Sequence, residues 1–195
     1  MSAGGESTHT TAALHSPGTP AWLPSWAVVT ASRLAHMERV ATLLEGWAGA
    51  MKLDERERHM WRDAGRWHDA LRDAPESLLR AATQDFESPV ALLHGPATAN
   101  LLVADGERRG PLLDAITWHT TGAPEWDRPG KALFMADYLE PGRRFDVEQR
   151  AFLARQLPND FEGVFREVLR LRLEWSIRDG KPLMAPTVEL WNRCR

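Results

Sequence analysis

The segment GRWHDALRD, residues 65–73, places a histidine and an aspartate side by side, His68 and Asp69, at the end of an apolar helical pattern. Burying a carboxylate beside an imidazole costs several kcal/mol unless a partner compensates for the lost water. Both side chains are ligands of divalent metal ions, and a bound cation would supply that compensation. The pair therefore raises the hypothesis of a metal site inside the protein.

Further histidines and aspartates fall on the apolar faces of predicted helices, five helices in all. The full set is His36, His68, His94, His119, Asp69 and Asp137. Taken singly, a histidine on such a face is more often a core residue that bonds a backbone carbonyl. Taken together, all of these buried polar side chains need partners, and one shared metal site supplies them. Imidazole and carboxylate suit Fe, Mn, Co, Zn or Ni, and a carboxylate can bridge two ions.

Helical periodicity is the pattern that positions these residues. The stripe that begins at His36 continues through Val40, Leu43 and Trp47. Asp54 and Glu57 resemble a capping box and predict the start of the helix that ends near His68. Ser88-Pro89 predicts the start of the helix that carries His94, and Gly95-Pro96 predicts an interruption of its hydrogen bonds.

A long helix is predicted over Phe161–Arg178, with Asn159 and Glu162 as its cap and Trp175 on its inward stripe. Ala, Leu, Arg and Glu dominate the chain, and no strand pattern of any length is present. The predicted fold class is all-α, a helical bundle. Residues 25–195 form its single domain, and residues 1–24 are predicted to be a disordered or loosely packed tail.

Charge and composition limit the classes of partner. A net charge of −3 over 195 residues gives no basic footprint for a nucleic-acid polymer. No apolar run approaches the length of a membrane span, so no membrane contact is expected. The single cysteine, Cys194, has no internal disulfide partner and fits a reducing cytoplasm.

The order H…HD…H…H…D resembles that of the HD-domain phosphohydrolases. Several segments resemble the YqeK branch, the symmetrical bis(5′-nucleosyl)-tetraphosphatases, which act on diadenosine tetraphosphate. These segments are RLAH (33–36), WHDALRD (67–73), LLHGPATA (92–99), DAITWHTTG (114–122) and KALFMADYLEPGR (131–143). The resemblance runs from about Arg33 to Asn192 and implies an HD-domain helical bundle.

The resemblance also implies a bimetal centre. His36, His68, Asp69 and Asp137 would hold one ion, and His94 and His119 the other, with Asp69 bridging the two. Iron is the metal that the resemblance implies, and the residues also suit Mn, Co or Ni. Catalytic roles fall on Asp69, His68 and Arg143.

Four phosphates carry more charge than two ions and their ligands offset, so cationic side chains are expected to help. The predicted substrate-binding residues are Arg143, Lys131, Arg72, Arg33 and Thr120. Arg143 and Lys131 match positions of the resembled family, whereas Arg72 stands where that family commonly has lysine. Tyr138 and Phe145 have two interpretations, stacking on adenine or packing in the core, and Glu140 is expected to orient a ligand or Arg143.

The predicted function is cleavage of diadenosine tetraphosphate into two ADP by a water that two metal ions activate. The alternatives are an HD-domain nucleotidase for other nucleoside phosphates and a nucleotide-sensing module without turnover. The expected partner is a small dinucleoside polyphosphate, and the protein is expected to be a monomer or a homodimer.

Overall fold

The computed structural model describes residues 20–194, and every regular element among them is an α-helix. In this part of the chain the helices are α1 (Ala31–Ala50), α2 (Glu55–Trp67), α3 (Glu76–Thr83), α4 (Val90–Ala104), α5 (Gly110–Trp118), α6 (Arg128–Leu139), α7 (Val147–Gln156), α8 (Phe161–Arg178) and α9 (Ala185–Cys194). The predicted all-α fold class is confirmed.

The centre of the bundle is formed by α1, α2, α4, α5 and α6. Helix α2 lies against α1, α5 and α6, and α4 lies against α3 and α5. Apolar side chains of these helices and of α8 share one core, which includes Val40, Leu44, Trp61, Ile116, Leu133 and Phe165. Burial of such side chains is the main favourable term in folding, so the core fixes which helix faces point inward.

Two glycines allow the helices that carry the histidines to approach closely. A Cβ at Gly65 would lie 2.6 Å from the Cα of Ala41, so α2 touches the backbone of α1 there. A Cβ at Gly95 would lie 2.7 Å from the carbonyl oxygen of Ile116, so α4 touches α5. Only glycine permits these contacts, and both lie within three residues of a candidate ligand, His68 or His94.

The predicted start of α2 agrees with the structure, and two other helix starts shift by one residue. Thr30 accepts a hydrogen bond from the Arg33 amide at the start of α1, and Asp54 accepts one from the Glu57 amide at the start of α2. The cap of α8 is Asp160, not Asn159, because the Asp160 carboxylate accepts from the Gly163 amide. The N-cap of α4 is Pro89 rather than Ser88, with no side-chain cap.

The predicted interruption at Gly95-Pro96 is wrong, because α4 runs without a break from Val90 to Ala104. A proline inside a helix removes one amide donor and crowds the preceding turn. The neighbouring side chains of α4 are nevertheless buried in the bundle, among them His94, Ala97 and Thr98. Tertiary packing therefore outweighs the local cost of the proline.

Two short helices, α3 and α7, were not predicted, and one side chain points the other way. Helix α3 buries only Leu79, and α7 buries only Arg150 and Leu153, so neither has a long apolar stripe. Trp175 of α8 is 42% exposed, which corrects its predicted place on the inward stripe. It lies beyond Leu169, the last buried residue of that helix, where the bundle no longer covers it.

The start of the described chain packs against the bundle. Leu23 is buried beside Met37 and Ala70, and the Trp67 indole donates to the carbonyl oxygen of Trp22 at 2.9 Å. The tail predicted for residues 1–24 lies, over residues 1–19, outside the described residues. Among residues 20–194, none of the helices has the length and apolar character that crossing a membrane requires.

Candidate metal centre

The predicted ligands come together from five helices. His36 lies in α1, His94 in α4 and Asp137 in α6. His68 and His119 are the C-cap residues of α2 and α5, and Asp69 directly follows α2. The histidines of this set and Asp69 are all buried. Residues far apart in the sequence thus form one polar cluster inside an apolar core.

Asp69 stands between two pairs of histidines. Its Oδ2 atom lies 3.7 Å from the Nε2 of His36 and 3.5 Å from that of His68. Its Oδ1 atom lies 3.2 Å from the Nε2 of His94 and 3.4 Å from that of His119. Each carboxylate oxygen therefore faces one histidine pair, which is the arrangement that a bridging carboxylate requires.

Backbone carbonyls fix the orientation of three of these rings. The Nδ1 atom of His68 lies 3.0 Å from the Gly65 carbonyl oxygen, and that of His94 lies 3.0 Å from the Ala91 oxygen. The Nδ1 atom of His119 lies 2.7 Å from the Ile116 oxygen. A carbonyl only accepts, so Nδ1 carries the hydrogen and Nε2 of the neutral ring offers a lone pair. Such bonds are the usual support of metal-binding histidines.

The Nε2 atoms of the histidines lie close together in two pairs. The Nε2 atoms of His94 and His119 are 3.0 Å apart, and those of His68 and His36 are 3.4 Å apart. Two nitrogens that each lie about 2.0–2.1 Å from one ion have about this separation when the angle at the ion is near 90–110°. The geometric groups that can hold a metal are His36, His68 and Asp69, and Asp69, His94 and His119. These residues fit two divalent ions.

A second carboxylate, Asp137, lies beside the first group. Its Oδ1 atom is 3.2 Å from the Nε2 of His36. Burial lowers the pKa of His36, but hydrogen bonds to Asp137 and Glu140 outweigh burial and raise it to about 9. Burial opposes ionisation of Asp137, yet the His36 contact and then Arg143 hold its pKa well below the usual range. This part of the cluster attracts positive charge.

The remaining pKa shifts have the same origin in burial and neighbouring charge. Burial lowers the pKa of His68 to about 4 and also lowers that of His94. Burial alone would raise the pKa of Asp69, but the surrounding histidines, His68 first, hold it well below its usual range. An ionised carboxylate among mostly neutral imidazoles is the donor set that a divalent transition metal prefers.

Glu140 orients His36 through the Nδ1 atom of the ring, in agreement with the expectation from the sequence that Glu140 orients a ligand. It is 1% exposed, and its Oε1 atom accepts from the His36 Nδ1 at 3.2 Å. Its other oxygen accepts from the Arg39 Nε at 2.5 Å and from the Gly142 amide at 2.6 Å. Burial disfavours its charge, but these bonds, that of His36 first, lower its pKa to about 2.

Arg39 and Arg150 are supporting residues that sequence reasoning missed. Arg39 lies three residues after His36, so its place on the same helix face was available from the spacing. Arg150 is buried in α7 and donates to the carbonyl oxygens of Tyr138, Glu140 and Arg143. Its hydrogen bonds fix the loop that follows α6 and contains Arg143. No local sequence pattern predicts that role.

The predicted substrate-binding arginines lie at the cluster. Arg33 contacts Asp69 Oδ2 at 2.7 Å, and Arg143 contacts Asp137 Oδ1 at 2.5 Å. The Thr120 hydroxyl lies 3.3 Å from the Nε2 of His119. Arg72 lines a cavity together with Thr120, and its charge contributes to the lowered pKa of His94.

The structure places the Lys131 side chain against α8, and not against a residue of the cluster. Its ammonium group donates to both oxygens of Glu162, at 2.9 and 2.8 Å, and lies over the Phe165 ring. Helical spacing placed Lys131 six residues before Asp137, but that offset turns its side chain towards α8. The lysine is thus occupied by a contact between helices rather than facing the ligands.

The comparisons with known proteins agree with this geometry. Residues 33–142 match the model of the HD domain, which is more than half of the chain. The chain belongs to the HD-domain family. Every predicted ligand of the cluster lies within the matched residues.

Two bacterial relatives are both named symmetrical bis(5′-nucleosyl)-tetraphosphatases. This HD protein is 31% identical to the one from Bacillus subtilis over 135 residues, which are 65% of this chain and 71% of the relative. It is 29% identical to the one from Halalkalibacterium halodurans over 103 residues, which are 52% of this chain and 54% of the relative. The match thus spans about half the length of the second relative.

A crystal structure of an HD superfamily hydrolase described as involved in NAD metabolism, from Clostridium acetobutylicum, has a similar fold. The TM-score is 0.73 at 25% identity, and the match covers 85% of this chain and 90% of that one. The likeness places this protein among the HD-domain hydrolases.

The HD cluster has one further cationic neighbour that the sequence did not reveal, Arg172 of α8. Its Nη2 donates to the Thr120 carbonyl oxygen at 3.0 Å, and its Nη1 lies 3.8 Å from Asp137 Oδ2. The guanidinium carbon lies 4.1 Å from the centre of the Phe134 ring. Arg172 sits among several arginines of α8, and only the folded structure distinguishes it from them.

Proposed function

We propose that this HD domain hydrolyses diadenosine tetraphosphate symmetrically, giving two ADP. The observation that carries the proposal is Asp69, whose two oxygens each face one pair of histidine Nε2 atoms. The names of the two bacterial relatives support the choice of substrate. Symmetrical cleavage adds one water across the central P–O–P bond, so that the oxygen goes to one phosphorus and a proton to the leaving phosphate.

Two divalent ions are the cofactors of the proposed reaction, iron as first choice and Mn, Co or Ni as alternatives. His36, His68, Asp69 and Asp137 would hold one ion, and His94, His119 and Asp69 the other. When bound, such a pair of ions lowers the pKa of water and neutralises charge on the phosphoryl group that is attacked.

The protein's own groups supply position and charge. The carbonyls of Gly65, Ala91 and Ile116 keep three imidazole rings turned towards Asp69. Glu140 does the same for His36. The positive charges of Arg33, Arg72 and Arg143, with the Thr120 hydroxyl, offset the charge of the phosphate chain, because arginine pairs well with phosphate oxygens.

The remaining expectations belong to the same proposal. Residues 25–195 form the catalytic domain. The protein acts in the cytoplasm on a small dinucleoside polyphosphate, as a monomer or a homodimer, and the single cysteine agrees with a reducing compartment.

The test is chromatography of the nucleotides that metal-loaded protein releases from diadenosine tetraphosphate. ADP as the sole product is expected, and treatment with a chelator should stop its release. His59→Ala is the matched histidine control, because His59 is exposed and its ion-pair partner is Glu55. ATP with AMP, or inorganic phosphate, would contradict symmetrical cleavage and favour another nucleotidase. Binding without any product would favour a sensing module.

A further inference from the structure

Two cavities lie beside the candidate metal centre. The first, here the Arg143 cavity, has a volume of about 370 Å³, and its lining includes Asp137, Tyr138, Arg143, Phe145 and Arg178. The second, here the Lys181 cavity, has a volume of about 390 Å³, and its lining includes Arg72, Thr120, Lys181, Leu183 and Met184. Each combines cationic groups with an apolar wall, which is the usual composition of a site for a small charged ligand.

Two side chains of α8 separate the cavities and line both. They are Arg172 and Trp175, which lie three residues apart and therefore on the same side of the helix. Arg172 reaches Asp137 on the side of the Arg143 cavity and Thr120 on the side of the Lys181 cavity. Its guanidinium thus spans the junction between the cavities.

Arg172 also has an unused donor. Its Nη1 atom is buried and has no hydrogen-bond partner among the described residues 20–194. A buried donor without a partner costs about 1–3 kcal/mol, so such groups usually meet a ligand or water. An anionic oxygen at the junction of the cavities would satisfy it.

We propose that each cavity takes one adenosine of the dinucleotide, and that Arg172 binds the phosphate chain where it passes between them. The inference rests on the proposed function, since a symmetrical substrate carries a nucleoside on each side of the bond that breaks. Two cavities on either side of one cationic junction match that chemistry. A substrate with one nucleoside would leave one cavity without an occupant.

The cavities differ in what they offer an adenine ring. In the Arg143 cavity, Tyr138 and Phe145 form an edge-to-face pair with ring centres 5.6 Å apart, which holds an aromatic wall in place. In the Lys181 cavity, the aromatic rings are those of Phe134 and Trp175, and the cationic groups of Arg172 and Lys181 lie over them, 4.1 and 3.8 Å from the ring centres. The other apolar lining includes Leu183 and Met184. We therefore expect tight binding of one nucleoside and weaker binding of the other.

Calorimetric titration of the metal-loaded protein with ADP tests the inference, with the hydrolysis of diadenosine tetraphosphate measured in parallel. Two ADP per chain are expected, one tighter than the other. Phe145→Ala should weaken only the tighter event, and Leu183→Asp only the weaker one. These two side chains are similarly exposed, 44% and 43%, so both substitutions should leave the fold intact.

Arg172→Gln should weaken both binding events about tenfold or more, because a charge-assisted hydrogen bond to phosphate is lost. Its metal content should remain that of the wild type. Arg170→Gln is the matched control from the same helix, since Arg170 pairs with Glu167 and Glu174 at the surface. Equal effects of the two substitutions would overturn the role of Arg172.

The outcomes separate this inference from the proposed function. One ADP per chain, with diadenosine tetraphosphate still cleaved to ADP, would overturn the two nucleoside sites and leave the function standing. Two ADP per chain without cleavage would keep the sites and reject the function. No binding of ADP at all would overturn the two sites whatever the hydrolysis assay shows.

Discussion

The two histidine pairs on either side of Asp69 have similar backbone support but different electrostatic surroundings. Beside His36 and His68 lies a second carboxylate, Asp137, which faces the Nε2 of His36. The buried Glu140 contacts the Nδ1 of the same ring. Four arginines reach this side through ion pairs, and they are Arg33, Arg39, Arg143 and Arg172. Charge is therefore concentrated around the first pair.

The surroundings of His94 and His119 are closer to neutral. Apart from backbone carbonyls and His68, their polar neighbours include Asp69 Oδ1, the Thr120 hydroxyl and, at longer range, the charge of Arg72. A divalent cation gains more from two carboxylates than from one, so we expect tighter binding beside His36. We therefore expect one firmly held ion and one that exchanges more readily.

The largest effect is expected where the two sides meet, at Asp69. Asp69→Ala should remove bound metal from both groups and lower the rate of ADP formation by about 10³-fold or more, because both ions lose a shared ligand. Helical circular dichroism should persist. Asp179→Ala, at the C-terminal end of α8, is the control for loss of a carboxylate. Retained activity in Asp69→Ala would reject the assignment of the site.

Stepwise removal of metal tests the comparison itself. Titration with a chelator should release about half of the metal at a lower chelator concentration than the rest. His119→Ala should abolish the phase that is released at the lower chelator concentration. One ion per chain should then remain, since the group around His36 is untouched. Metal analysis of the dialysed variant measures this directly. Release of all metal in one phase would mean that the two positions are equivalent.

Glu140→Gln should selectively weaken metal binding beside His36 and His68. The substitution removes the charge that orients His36, and the loss of such a supporting group typically lowers metal affinity about 10–100-fold. Competition with a metal indicator measures the affinity of each phase. Glu162→Gln is the matched control, because Glu162 pairs with Lys131 away from the cluster. An equal effect on both phases would contradict the selective role of Glu140.

Gly95→Ala should disturb the second pair through packing. The added Cβ would lie 2.7 Å from the Ile116 oxygen, so α4 and α5 must separate. Overpacking of this kind costs about 1–3 kcal/mol and would lower the melting temperature by about 2–4 °C per kcal/mol. Gly46→Ala in α1 is the control with the opposite sign, because a Cβ there meets no atom within 4 Å. Gly46→Ala should raise stability slightly.

The smallest effect is expected from a carboxylate outside both groups, Glu107. Hydrogen bonds from Arg109 lower its pKa from 4.5 to about 2. A lowered pKa means that Glu107 stabilises the fold fully above pH 4.5, and that this contribution is lost as the pH falls towards 2. Denaturant titrations between pH 6 and 3 should show a shallower loss of stability in Glu107→Gln. An unchanged slope would show that Arg109 does not stabilise the ionised form.

The sequence predicts the ligands and most of the helices because both follow from periodicity. His36 and His119 lie on apolar stripes that also define their helices, and the order of the residues matches the HD pattern. Helical spacing gives the face on which Lys131 lies but does not show that its side chain contacts Glu162 of α8. The helix interruption predicted at Pro96 is wrong, because the packing of α4 outweighs the tendency of proline to break a helix.

Sequence reasoning did not find most of the residues that support the predicted ligands. Arg150 and Arg172 contact atoms that lie on other helices or loops, and those contacts exist only after the bundle forms. Short helices such as α3 carry too few buried residues for a periodic signal. Sequence therefore predicted the residues of the His/Asp cluster, whereas the groups that orient them emerged from tertiary packing.

Crystals of the protein loaded with iron or manganese, measured at the absorption edge of that metal, test the central claim most directly. We predict two anomalous peaks per chain, one beside each oxygen of Asp69, with His36 and His68 at one and His94 and His119 at the other. A single peak, or peaks without contact to Asp69, would contradict the account.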